Sequence, residues 1–316
     1  MESLGDLLKS IPSRAYLERA EQRRLELLAD PLVVKWRQKY TNVTDHDIRL
    51  NLNKIHQYVL EMNHCANCPG LEKCPNDLEG HYTMLSIDEN AGTSQIYDHK
   101  VACRKFTARQ SQEALKSRIH SFNVDDRLLQ QGYSLDEIVN NDMERVKAVD
   151  QIIDYIFLTQ EKGLQPRGLY MVGKFGTGKT FLMCYMLHEL AKVGMTGAIV
   201  YMPEFVEDLK SMFGEPQKLK ETIDLLKETD LLVLDDIGAE NMNPWLRDHV
   251  LGAILNYRMN RKPTFFTSNY ELDALEKHFS FTSKDGEEEL KGQRIMDRIR
   301  PFVDTVYVKG RNKRGS

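Results

Sequence analysis

The chain has 316 residues, 41% of them hydrophobic and 28% charged, with a formal net charge of −4. That length accommodates about two domains with full cores, and the composition excludes collagen-like, mucin-like and wholly disordered chains. No run of about 18 apolar residues occurs, so no spanning helix is expected, and the mixed-charge opening MESLGDLLKSIPSRAYLERAEQRR does not read as a secretory signal.

A cytoplasmic location follows as the simplest expectation, with thiols kept reduced. Residues 12–31, PSRAYLERAEQRRLELLADP, carry helical periodicity, and Pro31 punctuates the end. TDHDIRLNLNKIHQYVLEM repeats the pattern, with Thr44 as N-cap and Ile48, Leu52, Ile55, Val59 and Leu60 as one apolar stripe. Such a stripe serves either its own domain's core or a docked partner.

HCANCPGLEKCPNDLEGH follows, residues 64–81. Cys65-x-x-Cys68 is the tight pair that a zinc knuckle needs, because the turn aims both thiolates at one point. The remaining ligands lie among Cys74, His81 and Cys103, with His64 and His99 further off. Buried free thiols or a redox pair are the alternatives, whereas Cys184 reads as core. A closed four-ligand site is structural, and zinc contributes on the order of 10–16 kcal/mol to folding such a module. GTSQIYDHKVACRKF reads as a hairpin strand carrying Cys103. Residues 107–140 are polar with weak periodicity and read as a helical linker. NDMERVKAVDQIIDYIFLTQ resumes helix. The expected division is therefore a helical, zinc-binding domain over 1–106, a linker over 107–140 and a nucleotide-binding domain over 141–316.

From Gly168 strands alternate with helices. GLYMV, GAIVYM, LLVLD, PTFFTSN and FVDTVYV read as five strands of a parallel sheet covered on both faces, an α/β fold. GKFGTGKT matches G-x-x-x-x-G-K-[ST] in full, between a strand and a helix. Gly173, Lys174, Phe175, Gly176, Thr177, Gly178, Lys179, Thr180 and the following Phe181 therefore form the expected nucleotide stretch. The backbone amides turn on the phosphates, Lys179 reaches the β- and γ-phosphates, and Thr180 ligates Mg²⁺. LLVLDD ends a strand in two carboxylates, Asp235 for the Mg²⁺ shell and Asp236 to polarise water. Asn269 ends the next strand, placed for the γ-phosphate or the water, or simply to cap a turn. Arg294 and Arg298 stand four apart on a helix, either as a solvated face or as a finger for a neighbour's phosphates.

In order, these motifs (GKFGTGKTF, YMPEFV, LDDIGAE, TFFTSN and RIMDRIR) resemble the AAA+ ATPases of the bacterial replicative-helicase loader family. The resemblance covers the chain from about residue 140, and the Cys/His half supports it. It implies an AAA+ ATPase core using ATP and Mg²⁺, with Lys179, Thr180, Asp235 and Asp236 as Walker residues and Asn269 as sensor 1. Arg298 becomes the trans-acting finger, with Arg294 beside it. It also implies Zn²⁺ held by Cys65, Cys68, His81 and Cys103, with Cys74 in reserve. The implied partners are the hexameric replicative helicase through the N-terminal domain, single-stranded DNA through the ATPase domain, and a second copy through the finger.

Residues 299–316 include the last strand, and a lid needs several helices of about 11–12 residues each. No lid subdomain and no sensor 2 arginine are expected, so a lone subunit should hydrolyse ATP weakly. Lys210, Lys218 and Lys220 in the two helices before LLVLD either meet DNA phosphates or form a solvated face, and no aromatic ladder for base stacking is evident. From Lys291 onward eight Lys/Arg face two Asp/Glu, a solvated tail or a second phosphate contact. The expected activity is ATP-dependent loading of the helicase onto single-stranded DNA during primosome assembly. The alternatives are a nucleotide-switched adaptor with little turnover and a transposition-helper ATPase of the same clade.

Overall fold

A computed structural model describes residues 14–88, 95–130, 143–282 and 286–312, so part of the expected linker, 131–142, lies outside the described residues. Two compact units are present, residues 1–112 and 113–316.

The first unit contains α1 (Arg14–Ala29), α2 (Pro31–Lys39), α3 (Asp45–Leu50), α4 (Leu52–Ala66) and an antiparallel hairpin of β1 (His81–Asp88) and β2 (Gln95–Ala102). Pro31 does more than end α1. It opens α2 at the position where a missing N–H costs nothing, and the Asp30 side chain accepts from Leu32 N at 2.8 Å. Thr44 caps α3 as expected, in a capping box with Asp47. Ile48, Ile55 and Val59 are buried with Val33, Trp36, Leu85 and Ile96, whereas Leu60 is exposed. Leu60 follows Val59 by one residue, which turns it some 100° around the helix and off the buried face.

A polar brace completes this core. Glu61 on α4 is fully buried and accepts from Thr83 N at 2.6 Å, Thr83 Oγ1 at 2.8 Å and Lys100 Nζ at 2.5 Å, tying the helix to both hairpin strands. Cys103 lies just past β2, and the chain turns there into α5 (Arg104–Arg118), so the expected strand stops earlier than RKF.

The second unit continues with β3 (Ile119–Phe122), α6 (Asp126–Gln130), α7 (Val146–Lys162), β4 (Gly168–Val172), α8 (Lys179–Lys192) and β5 (Gly197–Tyr201). Next come α9 (Met202–Ser211), α10 (Pro216–Glu228), β6 (Leu231–Asp235), α11 (Gly252–Arg258) and β7 (Thr264–Ser268). The unit closes with α12 (Leu272–Ser280), β8 (Phe281–Thr282), β9 (Gly286–Glu287), α13 (Glu289–Met296) and β10 (Val303–Tyr307). The main sheet has six strands in the order β10–β4–β7–β6–β5–β3, all parallel. Five were expected. The sixth is β3, IHSF, inside the stretch read as linker, and it pairs Ile119–Phe122 with Gly197–Val200 at the sheet edge. Three half-buried residues and an exposed His are too short a run to carry strand periodicity, so only pairing reveals it.

Alternate residues of each strand feed two apolar layers. Tyr170, Val172, Leu232, Leu234 and Phe266 face α9–α13, whereas Leu169, Met171, Leu231, Val233 and Phe265 face α7 and α8. Burial on both faces explains the unbroken apolar runs. Arg258 is buried on α11 and donates to the carbonyls of Leu226, Lys227, Thr229 and Asp230, closing the end of α10; burial pushes its guanidinium down to about 10.

Candidate functional site

The carboxyl ends of β4, β6 and β7 meet at one place, where ligands of open α/β sheets bind. A cavity of about 420 Å³ opens there, lined by Gly176, Gly178, Lys179, Thr180, Asp235, Asp236, Thr267 and Asn269. Gly176 and Gly178 take φ of 73° and 93°, a left-handed backbone that glycine adopts without a Cβ penalty. α8 begins at Lys179, so the positive helix end faces the cavity.

The ionic side chains are already joined. Lys179 Nζ donates to the carbonyls of Gly173 at 2.8 Å and Lys174 at 3.0 Å, and to Asn269 Oδ1 at 2.7 Å. The other end of that amide, Asn269 Nδ2, donates to Asp236 Oδ1 at 3.0 Å. Lys179, Asn269 and Asp236 thus form one chain, which also fixes the amide orientation of Asn269. Beside it, Thr180 Oγ1 donates to Asp235 at 2.9 Å and Thr267 Oγ1 donates to the same carboxylate at 2.7 Å. Burial pushes the Asp235 carboxyl up, while the hydroxyls of Thr267 and Thr180 and the Lys179 charge oppose that rise. Asp236 sits at φ 54°, and its N–H donates to Thr267 Oγ1 at 2.9 Å.

Thr267 therefore positions both acids, and the sequence reading passed over it. The available signal was a hydroxyl inside the apolar run TFFT at a sheet-buried position. The reading also missed Asn123, Val124, Asp125 and Leu128, which form one wall of the cavity after β3. Lys174, Phe175, Thr177 and Phe181 fall where expected around the loop. Phe175 and Phe181 line the cavity, and Thr177 Oγ1 ties the turn by donating to the Lys174 carbonyl at 3.0 Å.

The arginines stand elsewhere. Arg294 is exposed on α13, which ends at Met296, so Arg298 lies in the following turn rather than on the helix. Arg298 donates through Nη1 to the Arg294 carbonyl, and neither residue lines the cavity. Lys210 and Lys218 are paired with Glu207 and Glu215 on their own helical turns. An aromatic pair that the sequence reading did not find joins two segments: Phe213, in the turn between α9 and α10 and 55% exposed, meets the half-buried Trp245, which follows β6, edge-on at 4.7 Å.

In the N-terminal unit the cysteine sulfurs are half-buried and unbridged. Cys65 ends α4. Its thiol is pushed up by burial and by the neighbouring Cys68, Cys103 and Cys74, against a donor from Asn76. Cys68 is held low by the Gly70 N–H and by Lys105 Nζ at 3.4 Å. Gly80 N donates to Cys74 Sγ at 3.5 Å, and Phe106 N to Cys103 Sγ at 3.4 Å. The expected ligand His81 is engaged otherwise, with Nδ1 2.9 Å from the Glu79 carbonyl and its ring 4.6 Å from Phe106. His64 lies 3.0 Å from Asn76 Oδ1. Among the described residues no three His, Cys, Asp or Glu side chains stand in metal-holding geometry. Cys184 is buried core, as expected. No described helix is long and apolar enough to cross a membrane.

Comparison with known proteins gives a consistent family assignment. Residues 1–93 match the family described as "Primosomal protein DnaI N-terminus", and residues 95–278 match "AFG1-like ATPase". The replicative helicase loader DnaI of Bacillus subtilis (strain 168) is 33% identical over 317 aligned positions, covering 99% of both chains. Among solved structures, a protein described as a primosome component from Streptococcus pyogenes serotype M3 is 32% identical with a TM-score of 0.51. It covers 64% of this chain and 98% of its own. A crystal structure of DnaI is 34% identical with a TM-score of 0.49, covering 63% and 98%.

Proposed function

We infer, on the premise that this chain belongs to the DnaI family of replicative helicase loaders, that it loads the hexameric replicative helicase onto single-stranded DNA at the expense of ATP. The observation that carries the reading is the continuous chain Lys179–Asn269–Asp236, set beside the Thr180–Asp235–Thr267 cluster. It gives one cavity a phosphate-binding cation, a water-polarising carboxylate and a metal shell.

When ATP enters, Lys179 exchanges two loop carbonyls for phosphate oxygens and loosens its hold on Asn269. The freed amide turns to the γ-phosphate or the attacking water, and Asp236 accepts a proton from that water. Thr180 and Asp235 would hold Mg²⁺, whose charge neutralises the phosphate oxygens. Thr267 donates to Asp235, which favours the carboxylate against the upward push of burial, and it holds the Asp236 amide. Arg294 and Arg298, outside the subunit's own cavity, serve a neighbouring copy, so turnover rises with assembly.

Residues 1–112 form the helicase-docking unit, 113–130 belong to the ATPase core rather than to a linker, and Zn²⁺ closes the thiol cluster. The support is chemical rather than geometric: amide or amine hydrogens reach Cys65, Cys68, Cys74 and Cys103, and such donors favour thiolates over thiols. Cys74 takes the fourth position in place of His81. Phe213 and Trp245 offer the stacking surface for single-stranded DNA that the paired lysines do not.

Asp236→Asn tests the central reading. It should retain ATP and helicase binding while losing at least tenfold in ATP turnover and in loading on a forked template. Full loading by the variant favours the nucleotide-switched adaptor instead. Native mass measurement of Cys74→Ser and His81→Ala separates the fourth ligand, with zinc lost only from Cys74→Ser.

A further inference from the structure

Two glycines of the nucleotide loop lie directly against the segment that follows β10. After β10 the chain continues against that loop. Val308 N donates to the Val172 carbonyl at 2.8 Å, extending the ladder with β4 past the end of β10. A β-carbon on Gly173 would lie 2.2 Å from the Val308 carbonyl oxygen. The segment then turns at Gly310, φ 134°, and returns to the loop at Asn312. A β-carbon on Gly176 would lie 1.8 Å from Asn312 Oδ1, 2.5 Å from its Cγ and 3.2 Å from its Cα. Gly176 also lines the nucleotide cavity and has φ 73°.

We propose that Asn312 is a positioning residue for nucleotide binding, its carboxamide seated on Gly176 so that residues 308–312 back the phosphate loop. This rests on the nucleotide reading of the cavity. A loop whose amides must converge on phosphate gains affinity when its shape is set before the ligand arrives. Within the loop, the Thr177 hydroxyl on the Lys174 carbonyl fixes the base of the turn. The tip, Phe175–Gly176, has Phe175 63% exposed. At that tip the side chain that a β-carbon on Gly176 would meet is the exposed Asn312. Loss of its side chain would leave the left-handed Gly176 free to sample other backbone states, since glycine has no intrinsic preference for one.

The test is a two-residue cycle on the full chain, titrated with the fluorescent N-methylanthraniloyl derivative of ATP in the presence of Mg²⁺. Circular dichroism gives the folded fraction of each protein. Asn312→Ala should weaken binding about fivefold or more. Gly176→Ala should weaken it further, because its β-carbon displaces the carboxamide and strains a left-handed residue. The double variant should bind no worse than Gly176→Ala alone, since the contact is already broken. Binding by Asn312→Ala within twofold of the parent overturns the proposal, and so do losses that multiply in the double variant. Where Gly176→Ala does not fold, the twofold criterion on Asn312→Ala decides alone. Failure of the parent chain to bind the probe removes the nucleotide reading and this inference together; binding by the parent with an unaffected Asn312→Ala removes the inference only.

Discussion

In the ATPase unit, all five residues of β4, β6 and β7 are buried. In the N-terminal hairpin, β1 buries Thr83 and Leu85, and β2 buries Ile96. The larger unit has a sheet between two apolar layers and can place its ionic groups for chemistry. The smaller one spends its buried carboxylate, Glu61, on holding helix to hairpin. The lesson is that the same residue types do different work according to the apolar area around them: Asp235 ends a strand set between two apolar layers, whereas Glu61 ties helix to hairpin within its own core.

That contrast can be broken in three ways. The largest effect is expected for Glu61→Ala, which strands the Thr83 amide and hydroxyl and leaves Lys100 with Asp77 alone. It should destabilise the N-terminal unit by about 3 kcal/mol, the cost of buried donors left without an acceptor, read as an earlier thermal transition for that unit with ATP binding unchanged. A matching loss of ATP binding would mean that the two units do not hold themselves up separately. Thr267→Val is next. It keeps the shape but removes the hydroxyl shared by Asp235 and the Asp236 amide, and should cut ATP turnover about tenfold, ~1.4 kcal/mol of barrier. The fold should be unaffected, and unchanged turnover would show that the acids are aimed without it.

The smallest effect concerns thiol reactivity in the zinc-free protein. Cys68 is held below the usual thiol range by the Gly70 amide and Lys105, and Cys65 above it by burial. Alkylation at pH 7 should therefore mark Cys68 several-fold faster than Cys65, because the thiolate is the nucleophile. Mass mapping of a partly modified sample checks the order, and equal labelling would discard it.

Much of the site is legible in the chain. GKFGTGKT, LLVLDD and TFFTSN each place their polar residue at the end of an apolar strand, where a parallel sheet must deliver it. The family resemblance adds roles to the same positions. What failed to be legible has a common cause. β3 is short and half-polar, so its strand character comes from its neighbour β5. Leu60 joins a stripe on paper and leaves it by one step of helical rotation. Phe213 and Trp245 are 32 positions apart and become a pair only across the turn after α9.

By itself, then, the sequence determined which residue types stand where: the glycine-rich loop after one strand, the two acids and the amide at the ends of two others, and four cysteines close together in the chain. Those features depend on residue type and local spacing, which a chain carries regardless of its packing. Only the tertiary structure decided what lies against them. It set Asn269 between Lys179 and Asp236, Thr267 beneath both acids, residues 123–128 in the cavity wall, and Asn312 on Gly176. Each of these contacts joins residues far apart in the chain, and their partners are set by sheet order and chain crossing, which no local pattern encodes.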